Sequence, residues 1–202
     1  MNVEQIQLWR RIKLALAHLF LRTNDSFPRY LKIVLESRSN THEELALINA
    51  LGGKKDEDQL TKYFMDWLAK APKISGVGKP ACKKAKGFFD WSLRPDDVQC
   101  CYNDKLILIE CKVLRDTRQY EVRDSFTQLF EYLVFSKSNG VFFDEGCVVI
   151  FEERNSCTPV FDGEKKSLPS IFKCHRMWNG RRIKMSAMRI YLNNNKLQAE
   201  MP

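Results

Sequence analysis

The 202-residue chain carries 33 Lys and Arg residues against 25 Asp and Glu, a formal net charge of +8, and 44% of its residues are hydrophobic. That length suits one domain with a small appendage, and the apolar fraction is sufficient for a core. No apolar run approaches the roughly 18 residues of a membrane span, and the charged N-terminal stretch is typical of an amphipathic helix rather than a signal peptide, so we expect no membrane contact.

The seven cysteines are an odd number with irregular spacing. This pattern is typical of free thiols in a reducing intracellular compartment, the cytoplasm or the nucleus. Cys157, Cys174 and His175 could form part of a zinc site, but no Cys-x-x-Cys pair supports one.

The excess positive charge is concentrated near the C-terminus. Residues 165–199 contain nine basic side chains and no acidic one, which leaves 24 basic and 25 acidic residues in the rest of the chain. A nearly neutral body with a basic segment indicates a polyanionic partner, most often nucleic acid. The alternative is a solvated basic tail.

Helical patterns fill the first third of the chain. Apolar residues recur on one face of residues 3–21, and a second helix is predicted over residues 30–36. Asn40 is the expected N-cap of a third helix that Gly52 and Gly53 close, and Asp56 is the expected N-cap of a fourth that ends at Pro72. Residues 70–86 hold six lysines, two glycines and no acidic residue, a composition that predicts a loop.

The middle of the chain reads as strands with one intervening helix. Strands are predicted over residues 87–93, 98–102, 106–109 and 147–151, and a helix over residues 125–137. Asn103 and Asp104 tolerate the positive φ of a tight turn, so the second and third strands form a hairpin. From residue 56 the order is therefore helix, strand, strand, strand, helix, strand.

Three residues at the end of the hairpin are out of place for a buried strand. The apolar run Leu106–Ile109 is followed at once by Glu110, Cys111 and Lys112. Charges at such a position are paired, bind an ion or take part in chemistry. Glu110 and Lys112 are two residues apart, so they share one face of the strand.

The flanking residues carry a resemblance to a known family. Arg94-Pro95-Asp96 before the hairpin, Ile-Glu-Cys-Lys after it and a helix with Gln128 and Tyr132 resemble the PD-(D/E)XK nuclease superfamily, most closely type I restriction subunit nuclease domains and RecB-like nucleases. The resemblance covers residues 56–153 and implies an α/β fold with a restriction-endonuclease-like α-β-β-β-α-β core, in which helices flank a mixed sheet. Residues 1–55 would be an N-terminal helical extension packed on this core, and residues 154–202 a basic C-terminal extension of the same domain.

The resemblance also implies the chemistry of an endonuclease that uses Mg²⁺, for which Mn²⁺ would substitute, and acts most often on DNA. Asp96, Glu110 and the backbone carbonyl of Cys111 would bind the metal, since Mg²⁺ prefers oxygen ligands. Lys112 would hold or deprotonate the attacking water and offset the phosphate charge. Gln128 would contact the lysine, a metal-bound water or the phosphate, while Tyr132 is expected to pack in the core.

The identity of the first metal ligand stays open. A two-residue turn pairs Asp97 with Glu110, whereas a three-residue turn puts Asp96 on the Glu110 face. The resemblance favours Asp96, which follows proline. Asp90, in Gly-Phe-Phe-Asp, resembles the element that supplies the first ligand in RecB-like nucleases.

Acids and a histidine on the preceding helices are further candidates. Asp66, and after it Glu44, could add a metal ligand by resemblance, although both are expected to be solvated. His42 is expected on a helix surface, but a helical histidine binds the metal in viral cap-snatching endonucleases, so an RNA endonuclease is the alternative within the enzyme class. A nucleic-acid-binding module that keeps the fold without cutting is the alternative outside it.

Basic residues on both sides of the core are the expected phosphate contacts, with Trp178 and Tyr191 placed to stack a base. The candidates are Lys83, Lys84, Lys86, Arg176, Arg181, Arg182, Lys184 and Arg189. A homodimer is also expected, since restriction-type nucleases pair so that both strands are cut.

Overall fold

The computed structural model describes residues 26–37, 41–53, 56–80, 98–114, 125–126, 128–133, 142–152 and 184–201. Within these ranges the fold is mixed α/β, with helices packed on a six-stranded sheet. The helices are α1 (Phe27–Ser37), α2 (His42–Gly52) and α3 (Glu57–Ala69), and residues 125–126 and 128–133 form a further helical segment. The strands are β1 (Ile74–Gly78), β2 (Val98–Tyr102), β3 (Lys105–Leu114), β4 (Glu145–Glu152), β5 (Lys184–Asn193) and β6 (Lys196–Glu200).

The helix ends follow from capping residues. Thr41 caps α2 by accepting a hydrogen bond from the Glu44 amide, so the prediction of Asn40 as the cap was wrong by one residue. Gly53 closes α2 and Asp56 caps α3, as predicted. Threonine and aspartate oxygens satisfy amides that have no partner within a helix. The predicted helix over residues 3–21 lies outside the described residues.

The strands follow one another across the sheet in chain order. β1, β2 and β3 are antiparallel neighbours, β3, β4 and β5 run parallel, and β6 returns antiparallel to β5. From α3 onward the described elements come as a helix, three strands, a helical segment and a strand, but the first of these strands is not the one that was predicted. The two C-terminal strands extend this sheet.

The strand that precedes the hairpin lies where a loop was predicted. β1 falls inside residues 70–86, whereas the predicted strand at residues 87–93 is outside the described residues. Ile74 and Val77 pack against the core, while Ser75 and Gly76 are exposed. Gly76 has φ +60° and lies in an irregular stretch of the pairing with β2. The glycine and lysine content of this segment predicted a loop. Composition alone does not reveal that a segment pairs with another strand.

The predicted hairpin is present, and its turn has two residues. Asn103 and Asp104 have φ of 49° and 59°, the left-handed conformation of a type I′ turn. Pairing runs from Tyr102 opposite Lys105 to Val98 opposite Ile109. β3, however, continues to residue 114, five residues beyond the predicted end. The charged residues therefore lie inside a strand rather than at its end.

Each face of the sheet carries its own apolar cluster. The first face packs against α1, α2 and α3 and includes Ile109 and Cys111 of β3. The second face packs against residues 126 and 128–133 and includes Leu108 and Leu114. A Cβ on Gly146 would lie 2.7 Å from the nearest leucine side-chain atom of the helical segment, so glycine lets this segment approach β4 closely.

Four of the seven cysteines lie in the described residues, and the expectation of free thiols is confirmed for them: Cys100, Cys101, Cys111 and Cys147. No helix in the described part of the chain is both long and apolar enough to cross a membrane.

Candidate functional site

Glu110 lies near the middle of β3 and is only 1% exposed. Its neighbour across the parallel pairing with β4 is Val148, and Lys112 is opposite Ile150. Since side chains alternate along a strand, Glu110 and Lys112 share the face of Leu108, which packs under the helical segment. The sequence-predicted carboxylate and lysine are therefore on one face of a central strand.

Lys112 is held by an acid that the sequence analysis did not name. Its Nζ donates a hydrogen bond to Oε1 of Glu57 at 3.0 Å, and the Val113 amide donates to Oε2 of the same carboxylate at 3.1 Å. Glu57 is the first residue of α3, where the helix dipole favours negative charge. We call this arrangement of Glu57, Lys112 and Val113 the Glu57 clamp.

The Glu57 clamp joins the start of α3 to β3. The described part of β2 pairs with β3 no further than Ile109, so Glu57 supplies an acceptor to a strand amide beyond that point. The side chains of Lys112 and Glu57 are 21% and 23% exposed, so the pair is only partly screened by solvent. An ion pair with this access to solvent contributes on the order of 1 kcal/mol or less to stability.

Acids expected on the preceding helices behave differently from Glu57. Asp66 is exposed, as expected for a solvated residue. Glu44 was also expected to be solvated, but it is only 6% exposed in the first turn of α2. His42 is exposed at the first position of the same helix. The sequence signal for Glu57 was that it is an acid in the first turn of a predicted helix, directly after the N-cap. Its contact with Lys112 depends on how α3 docks against the sheet, which the sequence does not show.

Gln128 is half-buried on the helical segment that covers the second face. Leu129 and Leu133 of this segment pack against β4, and Tyr132 is buried, which confirms its expected packing role. Glu131 lies three residues after Gln128, and burial raises the pKa of its carboxyl group. The segment thus brings two polar side chains to the same part of the fold as Glu110.

The metal-ligand candidates are only partly within the described residues. Asp96, Asp97 and Asp90 lie outside them, as do Cys157, Cys174 and His175. Among the residues that the structure describes, no group of three or more His, Cys, Asp and Glu side chains could hold a metal ion. The Glu110 carboxylate and the Cys111 carbonyl are nevertheless oxygen donors of the kind Mg²⁺ prefers, and Mg²⁺ needs only one or two carboxylates because it retains waters.

Arg189, which the sequence suggested as a phosphate contact, is buried and paired with acids of its own chain. It is 3% exposed, and its Nε lies 3.0 Å from Oε2 of Glu152 and 3.7 Å from Oε2 of Glu200. Its guanidinium also lies 4.4 Å from the ring centroid of Tyr191. The side chains assigned to a phosphate clamp and a stacking platform are therefore in contact with each other, with Arg189 buried and Tyr191 partly exposed.

Lys184 is half-exposed and lies 3.4 Å from a buried carboxylate, Glu145, which also accepts a 2.8 Å hydrogen bond from Lys105. It is thus tied to the sheet but accessible. The other predicted phosphate contacts lie outside the described residues: Lys83, Lys84, Lys86, Arg176, Arg181 and Arg182.

No protein-family model and no curated protein matches the chain. Among solved structures, the chain is similar to Pyrococcus furiosus SfsA in complex with Ca²⁺, with a TM-score of 0.31 and 10% sequence identity. The match covers 72% of this chain and 61% of the SfsA chain. A likeness at this level establishes neither a shared fold family nor a shared activity.

Proposed function

We propose that this protein is a Mg²⁺-dependent endonuclease that hydrolyses phosphodiester bonds, with DNA as its substrate. The observation that carries the proposal is the placement of Glu110 and Lys112 on one face of β3, in the strand that completes a hairpin and runs parallel to β4. The order from α3 to β4 agrees with the α-β-β-β-α-β core of restriction-endonuclease-like nucleases, and that core is part of the proposal.

Phosphodiester hydrolysis needs an activated water and stabilisation of charge on the phosphate and the leaving oxygen. A bound Mg²⁺ supplies a Lewis acid and lowers the pKa of its water. Glu110, the Cys111 carbonyl and an aspartate from the residues before β2 would hold the ion. Lys112 orients the attacking water and offsets the negative charge that develops on the phosphate. Gln128 would contact this lysine or the phosphate.

Exposed lysines flank the edge strand β1, two strands away from Glu110. Lys70, Lys73 and Lys79 are exposed, and they lie just before and just after β1. Lysines at a sheet edge attract phosphates without reading base sequence. They give a nucleic acid a route of approach toward β3, which supports a polyanionic substrate.

A cleavage assay tests the proposal directly. The purified protein is incubated with duplex, single-stranded and branched DNA and with RNA, in Mg²⁺, Mn²⁺ or EDTA. We expect DNA cleavage in either metal and none in EDTA. Glu110→Ala should abolish cleavage, whereas Glu36→Ala, at an exposed position on α1, should retain it. Binding without cleavage by the wild type would contradict the proposal, and cleavage of RNA alone would reassign the substrate.

The first metal ligand is identified by three separate variants, Asp96→Asn, Asp97→Asn and Asp90→Asn. The hairpin turn has two residues, Asn103 and Asp104, which is the case in which strand pairing would favour Asp97 as the partner of Glu110. The family pattern instead favours Asp96. The ligand's variant should lose cleavage and need more Mg²⁺ for any residual activity. The other two should cut at rates close to the wild type. If all three variants cleaved DNA at the wild-type rate, none of these aspartates would be a metal ligand.

A non-cutting nucleic-acid-binding module is the second candidate, and the concentration of basic residues between 165 and 199 favours it. Such a module would bind DNA with a strong salt dependence and show no metal-dependent cleavage.

A further inference from the structure

We propose that Glu57 is a positioning residue for Lys112: its carboxylate fixes the lysine ammonium relative to β3 so that the ammonium is ready to hold the attacking water. This inference rests on the proposed nuclease function and adds a residue outside the predicted catalytic set. It starts from one observation, that a single carboxylate contacts both the Lys112 ammonium and the amide of the next residue.

The two contacts of Glu57 constrain Lys112 more than an ordinary ion pair would. One carboxylate oxygen of Glu57 accepts a hydrogen bond from the Val113 amide of β3, and the other accepts one from the Lys112 ammonium. A lysine has four rotatable side-chain bonds, so without a partner its ammonium samples many positions. Because the carboxylate is itself bound to the strand, it restricts the ammonium to one region near that strand.

Glu57 is well placed to act as a fixed anchor. It follows the N-cap Asp56 directly, and α3 is held to the first face of the sheet by Leu60, Phe64 and Trp67, which are fully buried. An exposed pair in the same protein shows the contrast, since Lys32 and Glu36 on α1 are 3.7 Å apart and their side chains are 37% and 44% exposed. Positioning by a rigid element reduces the reorganisation needed for reaction.

The Val113 contact allows a substitution that separates positioning from folding. Glu57→Gln keeps an oxygen that accepts from the Val113 amide and removes the charge that holds Lys112. Glu57→Ala removes both contacts. Glu36→Gln makes the same chemical change in the exposed pair on α1 and is the matched control.

Steady-state cleavage of duplex DNA by these variants is the test. We expect Glu57→Gln to lower kcat by about 10- to 100-fold. The KM for DNA and the Mg²⁺ concentration for half-maximal rate should stay within about twofold of the wild type, as expected for an effect confined to the chemical step. The thermal midpoint should fall by no more than about 4 °C, and Glu36→Gln should match the wild type in every respect. A wild-type kcat for Glu57→Gln, or a kcat that high Mg²⁺ restores, overturns the proposal, because restoration would make Glu57 a metal ligand.

A spectroscopic measurement separates this inference from the proposed function. With ¹⁵N-labelled lysine, a held ammonium gives a sharp Nζ resonance, which Lys112→Arg identifies by its loss. We expect Glu57→Gln to broaden that resonance and Glu36→Gln to leave it unchanged. An unchanged resonance in Glu57→Gln overturns the positioning role even if the wild type cuts DNA. A wild type that cuts no nucleic acid overturns the nuclease proposal and, with it, the catalytic meaning of the clamp.

Discussion

Two ion pairs have cations at second-face positions of the sheet, Lys112 on β3 and Arg189 on β5, and they differ in what surrounds them. Glu57 and Lys112 are 3.0 Å apart with side chains 23% and 21% exposed. Glu152 and Arg189 are also 3.0 Å apart, but their side chains are only 7% and 4% exposed. Equal distances therefore accompany very different access to solvent and to a substrate.

The partners of each pair explain the difference. Arg189 is shared between Glu152 and Glu200 and lies over the Tyr191 ring, so its guanidinium is enclosed by groups of its own chain. Lys112 is paired with the Glu57 carboxylate and lies two residues after a buried acid on the same strand. Under the proposed function, the enclosed pair serves the fold and the accessible pair serves catalysis.

The largest expected effect is the loss of cleavage on substitution of the accessible cation. Lys112→Met should lower kcat by about 10²- to 10⁴-fold, because under the proposed function it removes the group that orients water and offsets charge. The thermal midpoint should change little, since the pair is partly solvated. Lys105→Met, at the exposed start of the same strand, is the control and should cut normally. If Lys112→Met cleaved DNA at the wild-type rate, the accessible pair would have no catalytic role that distinguishes it from the enclosed pair.

Substitution of the enclosed cation should instead affect folding. Arg189→Met leaves Glu152 buried without its cation, which should lower the free energy of unfolding by about 3–5 kcal/mol. Urea denaturation measures this loss, and Lys32→Met in the exposed α1 pair should change stability by less than about 0.5 kcal/mol.

Measurements on the folded fraction of Arg189→Met complete the comparison. DNA affinity and the cleavage rate per folded molecule should equal the wild-type values, because the guanidinium does not face a substrate. If the folded variant bound DNA several-fold more weakly, Arg189 would be a phosphate contact after all, as its place in the basic C-terminal segment suggested.

The hairpin and its charges could be predicted because they depend on local sequence. Alternating or continuous apolar runs identify strands, Asn103 and Asp104 identify the turn, and a spacing of two residues places Glu110 and Lys112 on one face. β1 could not be recognised because its residues become a strand only by pairing with β2.

The meaning of each charge depends on tertiary structure, which the sequence does not display. Glu57 and Lys112 are 55 residues apart, so their contact requires that α3 dock against β3. Arg189 stood in a basic segment and was assigned to phosphate binding, but Glu152 and Glu200 reach it from neighbouring strands. Charge counts along the chain record neither pairing nor burial.

The smallest expected effect concerns two buried thiols on the first face, Cys100 and Cys147. Burial raises the pKa of the Cys147 thiol to about 12 from an ordinary value of 9.0. Burial, with a smaller contribution from neighbouring Cys147, raises the pKa of Cys100 as well. The unfolded chain therefore releases these protons at lower pH than the folded protein does.

The sign of the resulting pH dependence follows from proton binding. Between about pH 9 and about pH 12 the folded protein binds more protons than the unfolded chain, so the contribution to stability is complete below pH 9 and falls as pH rises. The slope should be about 1.4 kcal/mol per pH unit for each thiol. Urea denaturation above and below pH 9 measures it. Cys147→Ala should remove one thiol's share of the slope, whereas Val149→Ala, a truncation in the same cluster, should lower stability and keep the slope. An unchanged slope in Cys147→Ala would mean that the thiol ionises as readily in the folded protein as in the unfolded chain, and that apolar burial on this face does not govern its charge.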